Sequence, residues 1–164
     1  LIYTFKEGLL SKVAHDLKLR VQTFDVRWED GEIKADFDPQ SIVCVNAMKR
    51  GQENPSALSS SDKAKVLENM HRDVLKTKRF PSIRFSAGAL SESDQQVIAN
   101  GYLELTGKQR PIRAVAQRNG AFWDVEVQIH QPDFGIRPFK ALMGAIKIKP
   151  DVKVVLRLPV DGGQ

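Results

Sequence analysis

At 164 residues, 41% of them hydrophobic, the chain is long enough to bury one core without disulfides or metals, and it reads as a single domain, 1–164. Its one cysteine, Cys44, excludes an internal disulfide. The net charge of +5, from twenty-five basic and twenty acidic residues spread along the chain, excludes a dense basic tail and is compatible with transient contact with an anionic membrane surface.

No apolar run approaches the ~20 residues that a membrane helix needs, and Lys6 and Glu7 interrupt the opening stretch where a secretory segment would be apolar. The chain reads as soluble. It does not begin with Met, so two compartments stay open: periplasmic if a leader upstream of Leu1 was removed, cytoplasmic otherwise.

After a lead-in that includes Leu9 to Asp16, Leu17 to Trp28 reads as one long strand. Leu17, Leu19 and Val21 share a face, and then Phe24, Val26 and Trp28 take the opposite parity, which predicts a bulge or twist near Gln22 and Thr23. Asp30-Gly31 predicts a tight hairpin turn into Glu32 to Asp38, where Ile33, Ala35 and Phe37 share a face. Pro39 breaks the ladder before a third strand, Ser41 to Asn46, which carries Val43, Cys44 and Val45; Cys44 reads there as a buried free thiol.

Lys49 to Ser60, rich in Gly, Pro, Ser and Asn, reads as a loop. A helix capped by Ser60 or Ser61 follows through Thr77, with Val66, Leu67, Met70, Val74 and Leu75 on one broad face and Lys76, Lys78 and Arg79 toward its C-terminal dipole. Pro81 ends it. Ser82 to Leu90 is the next strand, with Ile83, Phe85, Ala87 and Ala89 inward. Gln95 to Thr106 places Val97, Ala99, Gly101, Leu103 and Leu105 on one side, Gly107-Lys108-Gln109 turns the chain, and Arg110 to Arg118 returns to a hairpin signal at Asn119-Gly120.

The last third holds two half-buried strands. Trp123, Val125, Val127 and Ile129 alternate with polar residues, and Val152, Val154, Leu156, Leu158 and Val160 repeat the pattern near the C-terminus. Between them Asp133-Phe134-Gly135 reads as a turn in which Phe134 plugs a barrel end, and Ala141 to Ile146 fits either a helical turn or a strand. About eight strands with one inserted helix and short turns point to an antiparallel β-barrel. The small inward residues Ala35, Ala87, Ala89, Ala99 and Gly101 favour a channel over a filled interior.

Little in the sequence speaks for catalysis. His15, His71 and His130 lie in separate segments without ligand spacing, and no second cysteine completes a zinc set, so neither metal nor cofactor is implied. His15 with Asp16, and His71 with Asp73, are the only acid-base candidates, and adjacent residues on an extended chain point to opposite faces. Ser59-Ser60-Ser61 lacks nucleophile-elbow context, and Asp133-Phe134-Gly135 lacks the other elements of a kinase.

The order of several motifs resembles the YceI-like family, the polyisoprenoid-binding, lipocalin-like lipid-binding proteins. These are Gly8-Leu9-Leu10-Ser11-Lys12-Val13 with His15, then Phe37 to Ser41, then Arg72-Asp73-Val74-Leu75 followed by Phe80-Pro81-Ser82-Ile83-Arg84-Phe85. Gly101-Tyr102-Leu103-Glu104-Leu105-Thr106-Gly107 with Arg110-Pro111-Ile112, and Asp133-Phe134-Gly135-Ile136, complete the series. Ala14-His15-Asp16-Leu17 departs from the commoner form of the opening motif, and no export signal is seen.

The resemblance implies an extended lipocalin-like barrel of eight antiparallel strands with a helical insertion, non-catalytic, that encloses a tunnel for an isoprenoid or other long-chain lipid. The tunnel wall is then assigned to Phe37, Val43 and Val45, to Leu67, Met70 and Phe80, and to Ile83, Phe85, Leu103 and Leu105. Trp123, Val125, Val127, Ile129, Phe134, Val154 and Leu156 complete it. Arg137, Lys140 and Lys147 are the candidates for a phosphate head group. Two other function classes are carried: a single-stranded nucleic-acid binder using Phe24, Trp28 and Phe122, against which acidic residues share those faces, and a small-molecule enzyme using the cavity. Exposed apolar edges are compatible with a homodimer.

Overall fold

Tight turns set the register of the molecule. The computed structural model describes residues 1–7, 15–144 and 146–160, the side chains of Ala89 and Leu90 excepted. The opening motif at Gly8 to Val13 and the inward assignment of Ala89 lie outside the described residues. Strand β1 (Ile2–Thr4) precedes β2 (Asp16–Val21), β3 (Phe24–Glu29), β4 (Glu32–Phe37), β5 (Ile42–Lys49) and β6 (Gln52–Asn54). Asp30 and Gly31, at φ 52° and 75°, join β3 to β4, and Arg50 and Gly51, at 53° and 80°, join β5 to β6. Two successive left-handed residues match the twist of the strands they connect. The second hairpin falls where the sequence reads as loop, because a strand of three residues is too short to show alternation.

Helix α1 (Ser60–Asn69) begins one residue earlier than read. Ser59 is its cap: its hydroxyl accepts from the Asp62 amide at 3.1 Å while the Asp62 carboxylate accepts from the Ser59 amide at 2.9 Å. The helix widens into a single π turn at Met70–Val74, closed by Leu75 N donating to Met70 O at 2.8 Å, and ends short of Thr77.

The remaining strands are β7 (Ile83–Glu92), β8 (Gln96–Leu105), β9 (Lys108–Asn119), β10 (Phe122–His130), β11 (Lys140–Ala141), β12 (Ile146–Lys147) and β13 (Asp151–Pro159). Thr106 and Gly107 turn β8 into β9 with φ 50° and 72°, one residue ahead of the predicted turn. The β9–β10 turn is likewise Gly120-Ala121 rather than Asn119-Gly120, since Asn119 already pairs with Phe122. Of the segment left open at Ala141 to Ile146, the two end residues pair in a small ribbon, β11 against β12, and Leu142–Gly144 form a left-handed turn.

One eleven-stranded antiparallel sheet carries the order β3-β4-β7-β8-β9-β10-β13-β1-β2-β5-β6. The count exceeds eight because β1 and β6 are short and because the stretch read as one strand is two. β2 and β3 are consecutive in the chain yet lie toward opposite ends of the order, so the sheet must curl until those ends meet. Ser41 pins the meeting point, its hydroxyl accepting from Thr23 N at 2.9 Å and Gln22 N at 3.2 Å while donating to Asp38 O at 2.7 Å. The parity change seen in the sequence is thus a hand-over from one wall to the other. The result is mainly antiparallel β, a curled lipocalin-like barrel with one helix.

Apolar packing is concentrated where the helix enters. Leu19, Ile42, Cys44 and Met70 form one cluster, joined by Val66 and Leu67 from α1. Leu103, Leu105, Phe134 and Ile136 form a second, joined by Val74. Leu75 touches both, so the end of the helical segment bridges the two walls. No helix among the described residues is long and apolar enough to cross a membrane.

Candidate functional site

Away from the helix the barrel is hollow. A cavity of about 1000 Å³ runs between the walls, at the upper end of the ~300–1,000 Å³ typical of ligand pockets. One wall is β10, nine residues from Phe122 to His130, or roughly 30 Å at about 3.3 Å per residue. Alternation puts Trp123, Val125, Val127 and Ile129 inside, opposite Val152, Val154, Leu156 and Leu158 of β13. Val26, Trp28, Ile33 and Phe37 of the β3–β4 hairpin face them across the space, while Met70, Val74 and Leu75 cover the helical end.

Small residues make the space. Ala99 of β8 is the register partner of Ala114 of β9, and Ala116 lies between Val97 and Val125; all of these line the cavity, as does Ala35. Larger side chains here would meet in the middle. Gly101 and Ala87 do not belong to this set. A Cβ at Gly101 would sit 2.1 Å from Ser86 O and 2.7 Å from the Ala87 Cβ, because β7 shifts register between Ser86 and Ala89 and presses on β8. Their smallness serves strand contact, not the channel.

The wall carries few polar groups. Gln131, 7% exposed, donates from Nε2 to the carbonyls of Lys149 at 3.0 Å and Pro150 at 3.2 Å. Thr4 Oγ1 is a buried oxygen with no hydrogen-bond partner among the described residues. Asp124, Glu126 and Arg157 border the space from the outer parity of their strands and are paired there. Arg157 grips Asp124 with bonds of 2.6 and 2.8 Å and Lys153 meets Glu126 at 2.7 Å. With help from Asn119, Arg157 holds the Asp124 carboxyl down at about 2.

Residues 7–160 match the model of the YceI-like domain. The chain belongs to the YceI-like family. Solved structures similar to this YceI-like chain include a YceI protein of Campylobacter jejuni (TM-score 0.61, 11% identity, covering 86% of this chain and 82% of that one). BcnA of Burkholderia cenocepacia is similar too (0.58, 14%, 96% and 93%). So is a polyisoprenoid binding domain of Saccharophagus degradans implicated in plant cell wall breakdown (0.58, 14%, 96% and 89%). At such identities these likenesses show the fold. No curated protein sequence matches.

Of the residues assigned to the tunnel, Phe37, Met70, Ile83, Phe85, Leu103 and Leu105 line the cavity, together with Trp123, Val125, Val127, Ile129, Val154 and Leu156. Five others lie elsewhere. Val43 takes the parity opposite to the inward Ile42 and Cys44, and Val45 is the extra residue of a bulge, since Leu19 pairs with Cys44 and Lys18 with Asn46. Leu67 packs on the cluster around Met70, and Phe80 lies against the Gly107 turn under Arg79. Phe134 is buried beside Leu105, and its carbonyl accepts from Thr106 Oγ1 at 2.7 Å.

Arg137, Lys140 and Lys147 do not line the cavity. Of the proposed stacking residues, Phe24 lines the cavity and is also 46% exposed, Trp28 lines it half-buried, and Phe122 is 42% exposed beneath Arg157. Parity explains this: with the hand-over at Gln22, the inner face of β3 is the even-numbered one. Ile112, Ala114 and Ala116 escaped the sequence reading: they share one face of β9, but two of the three are alanines.

The acid-base candidates do not converge on the cavity. His71 Nδ1 lies 3.3 Å from Thr77 Oγ1, while Asp73 pairs with Arg72 at 2.7 Å. His15 and Asp16 border a separate, polar hollow with Lys49 and Arg50. No group of three or more His, Cys, Asp or Glu among the described residues is placed to hold a metal. The Cys44 thiol is pushed up by burial, an effect that Lys63 partly offsets.

Proposed function

We propose that this YceI-like chain binds a long-chain isoprenoid, or a lipid of similar shape, inside the barrel and stores or carries it without chemical change. The observation that supports this best is the cavity of about 1000 Å³ with its largely apolar wall. A structural neighbour described as a polyisoprenoid binding domain has the same fold. Burying ~15 methylene equivalents supplies on the order of 12 kcal/mol gross, against ~4 to 15 kcal/mol for association and ordering. Affinity therefore rests on how completely the cargo fills the space, which favours a long, flexible chain over a small compact molecule. The divergence of His71 from Asp73 speaks against catalysis in the cavity.

Native mass spectrometry of the purified protein, followed by organic extraction, tests the reading. A stoichiometric long-chain lipid that leaves on extraction is the expected result. A protein that remains apo when challenged with polyprenyl lipids and fatty acids overturns it.

A further inference from the structure

The β11–β12 ribbon carries the most exposed large apolar side chains of the described residues, and they adjoin one another at its tip: Leu142 is 67% exposed and Met143 fully so. The backbone fixes them there, because Leu142, Met143 and Gly144 have φ of 49°, 55° and 90°. Two non-glycine residues in a row in that region are uncommon. The ribbon is tied to the barrel by Glu7 N donating to Lys147 O at 2.9 Å and Lys149 N donating to Phe5 O at 2.7 Å.

Its charge is one-sided. From Gly135 to Pro150 the chain holds Arg137, Lys140, Lys147 and Lys149 and not one acidic residue. None of these four cations is ion-paired among the described residues, in contrast to Lys18, Lys153 and Arg157. Lys140 and Lys147 are register partners, and like charges placed opposite each other across two strands repel until a counter-charge arrives.

We propose that this ribbon docks the protein on an anionic phospholipid bilayer, with Leu142 and Met143 entering the boundary of the acyl chains and the four cations lying among the phosphates. An apolar tip on a ribbon whose strands and flanks carry four cations suits such a surface, which offers negative charge and hydrocarbon within a few ångströms. A nucleic acid would satisfy the lysines and leave the tip in water. Docking uses residues outside the cavity and does not depend on what the cavity holds.

Co-sedimentation with vesicles tests it, comparing phosphatidylcholine alone with phosphatidylcholine containing about one-third phosphatidylglycerol. The protein should sediment with the anionic vesicles and lose that binding as salt rises. Lys140→Gln and Lys147→Gln should each weaken it about fivefold, from ~1 kcal/mol per basic residue at such a surface. Leu142→Ser with Met143→Ser should weaken it at least about tenfold without moving the melting temperature. Equal sedimentation with both vesicle types, none with either, or undiminished binding by the serine variant overturns the proposal. Extraction of the same serine variant keeps the two readings apart: it should retain the lipid content of the parent, whereas an empty cavity in a parent that still binds vesicles refutes the cargo reading alone.

Discussion

Ala114→Phe distinguishes a hollow barrel from a packed one by the sign of its effect. Ala114 lines the cavity beside its partner Ala99, so a phenyl ring added there enters empty space. Burying it in the delipidated protein should contribute about 1.5 to 3 kcal/mol. At roughly two to four degrees per kcal/mol for a chain of this size, the melting temperature should rise by about 3 to 12 °C. A ring that displaces some six methylene equivalents of cargo removes about 5 kcal/mol of contact at ~0.8 each, or three to four orders of magnitude in affinity. Differential scanning calorimetry of delipidated protein and quantitative lipid extraction read the two effects. A destabilisation of about 1 to 3 kcal/mol, as overpacking a filled core produces, with lipid content unchanged, would refute the reasoning.

Gly101→Ala, two residues along the same face of β8 from Ala99, should do the opposite: its Cβ meets Ser86 O and the Ala87 Cβ. A loss of about 1 to 3 kcal/mol in denaturant titration is expected, and an unchanged midpoint would contradict the close approach. NMR titration should find the Asp124 carboxyl with a midpoint at about 2. Because its folded pKa lies below the unfolded value of about 3.9, the Arg157 pairing stabilises the fold above about pH 4 and ceases to do so as pH falls through about 2; Arg157→Ala should raise the midpoint, with the Asn119 bond still holding it below the ordinary range. Cys44, 8% exposed with its thiol pushed up by burial, should resist alkylation at neutral pH until the protein unfolds. Rapid labelling of the native protein would place it differently.

Alternation made the long strands legible. The faces of β10 and β13 could be assigned residue by residue because nothing interrupts their pairing from Phe122 to His130. The faces failed where both parities are apolar, as from Ile42 to Val45, where nothing marks Ile42 and Cys44 as the inward pair, and where the register shift after Ser86 gave Gly101 a different purpose. A parity change is visible in a sequence, but whether it marks a bulge or a change of wall depends on pairing with strands far along the chain. That is why Trp28, half-buried in the cavity wall, reads as a surface residue. Alanines raise a related difficulty. Ala114 and Ala116 carry too little hydrophobic signal to mark a buried face, yet they are what leaves the space open. The Leu142-Met143 tip also defeats periodicity, because its ribbon strands have two residues each.

The hand-over at Gln22 and Thr23 has a mechanical consequence. Since the hairpin from Asp16 to Lys49 belongs to one wall through β2 and β5 and to the other through β3 and β4, the walls share a spine. They can part by bending it where Ser41 holds it. Widening the barrel to admit a long chain then resembles opening a book: strain gathers at the binding while the ladders within each cover stay intact. The amides of Gln22 and Thr23, which donate to the Ser41 hydroxyl, are the place where hydrogen exchange would register each opening.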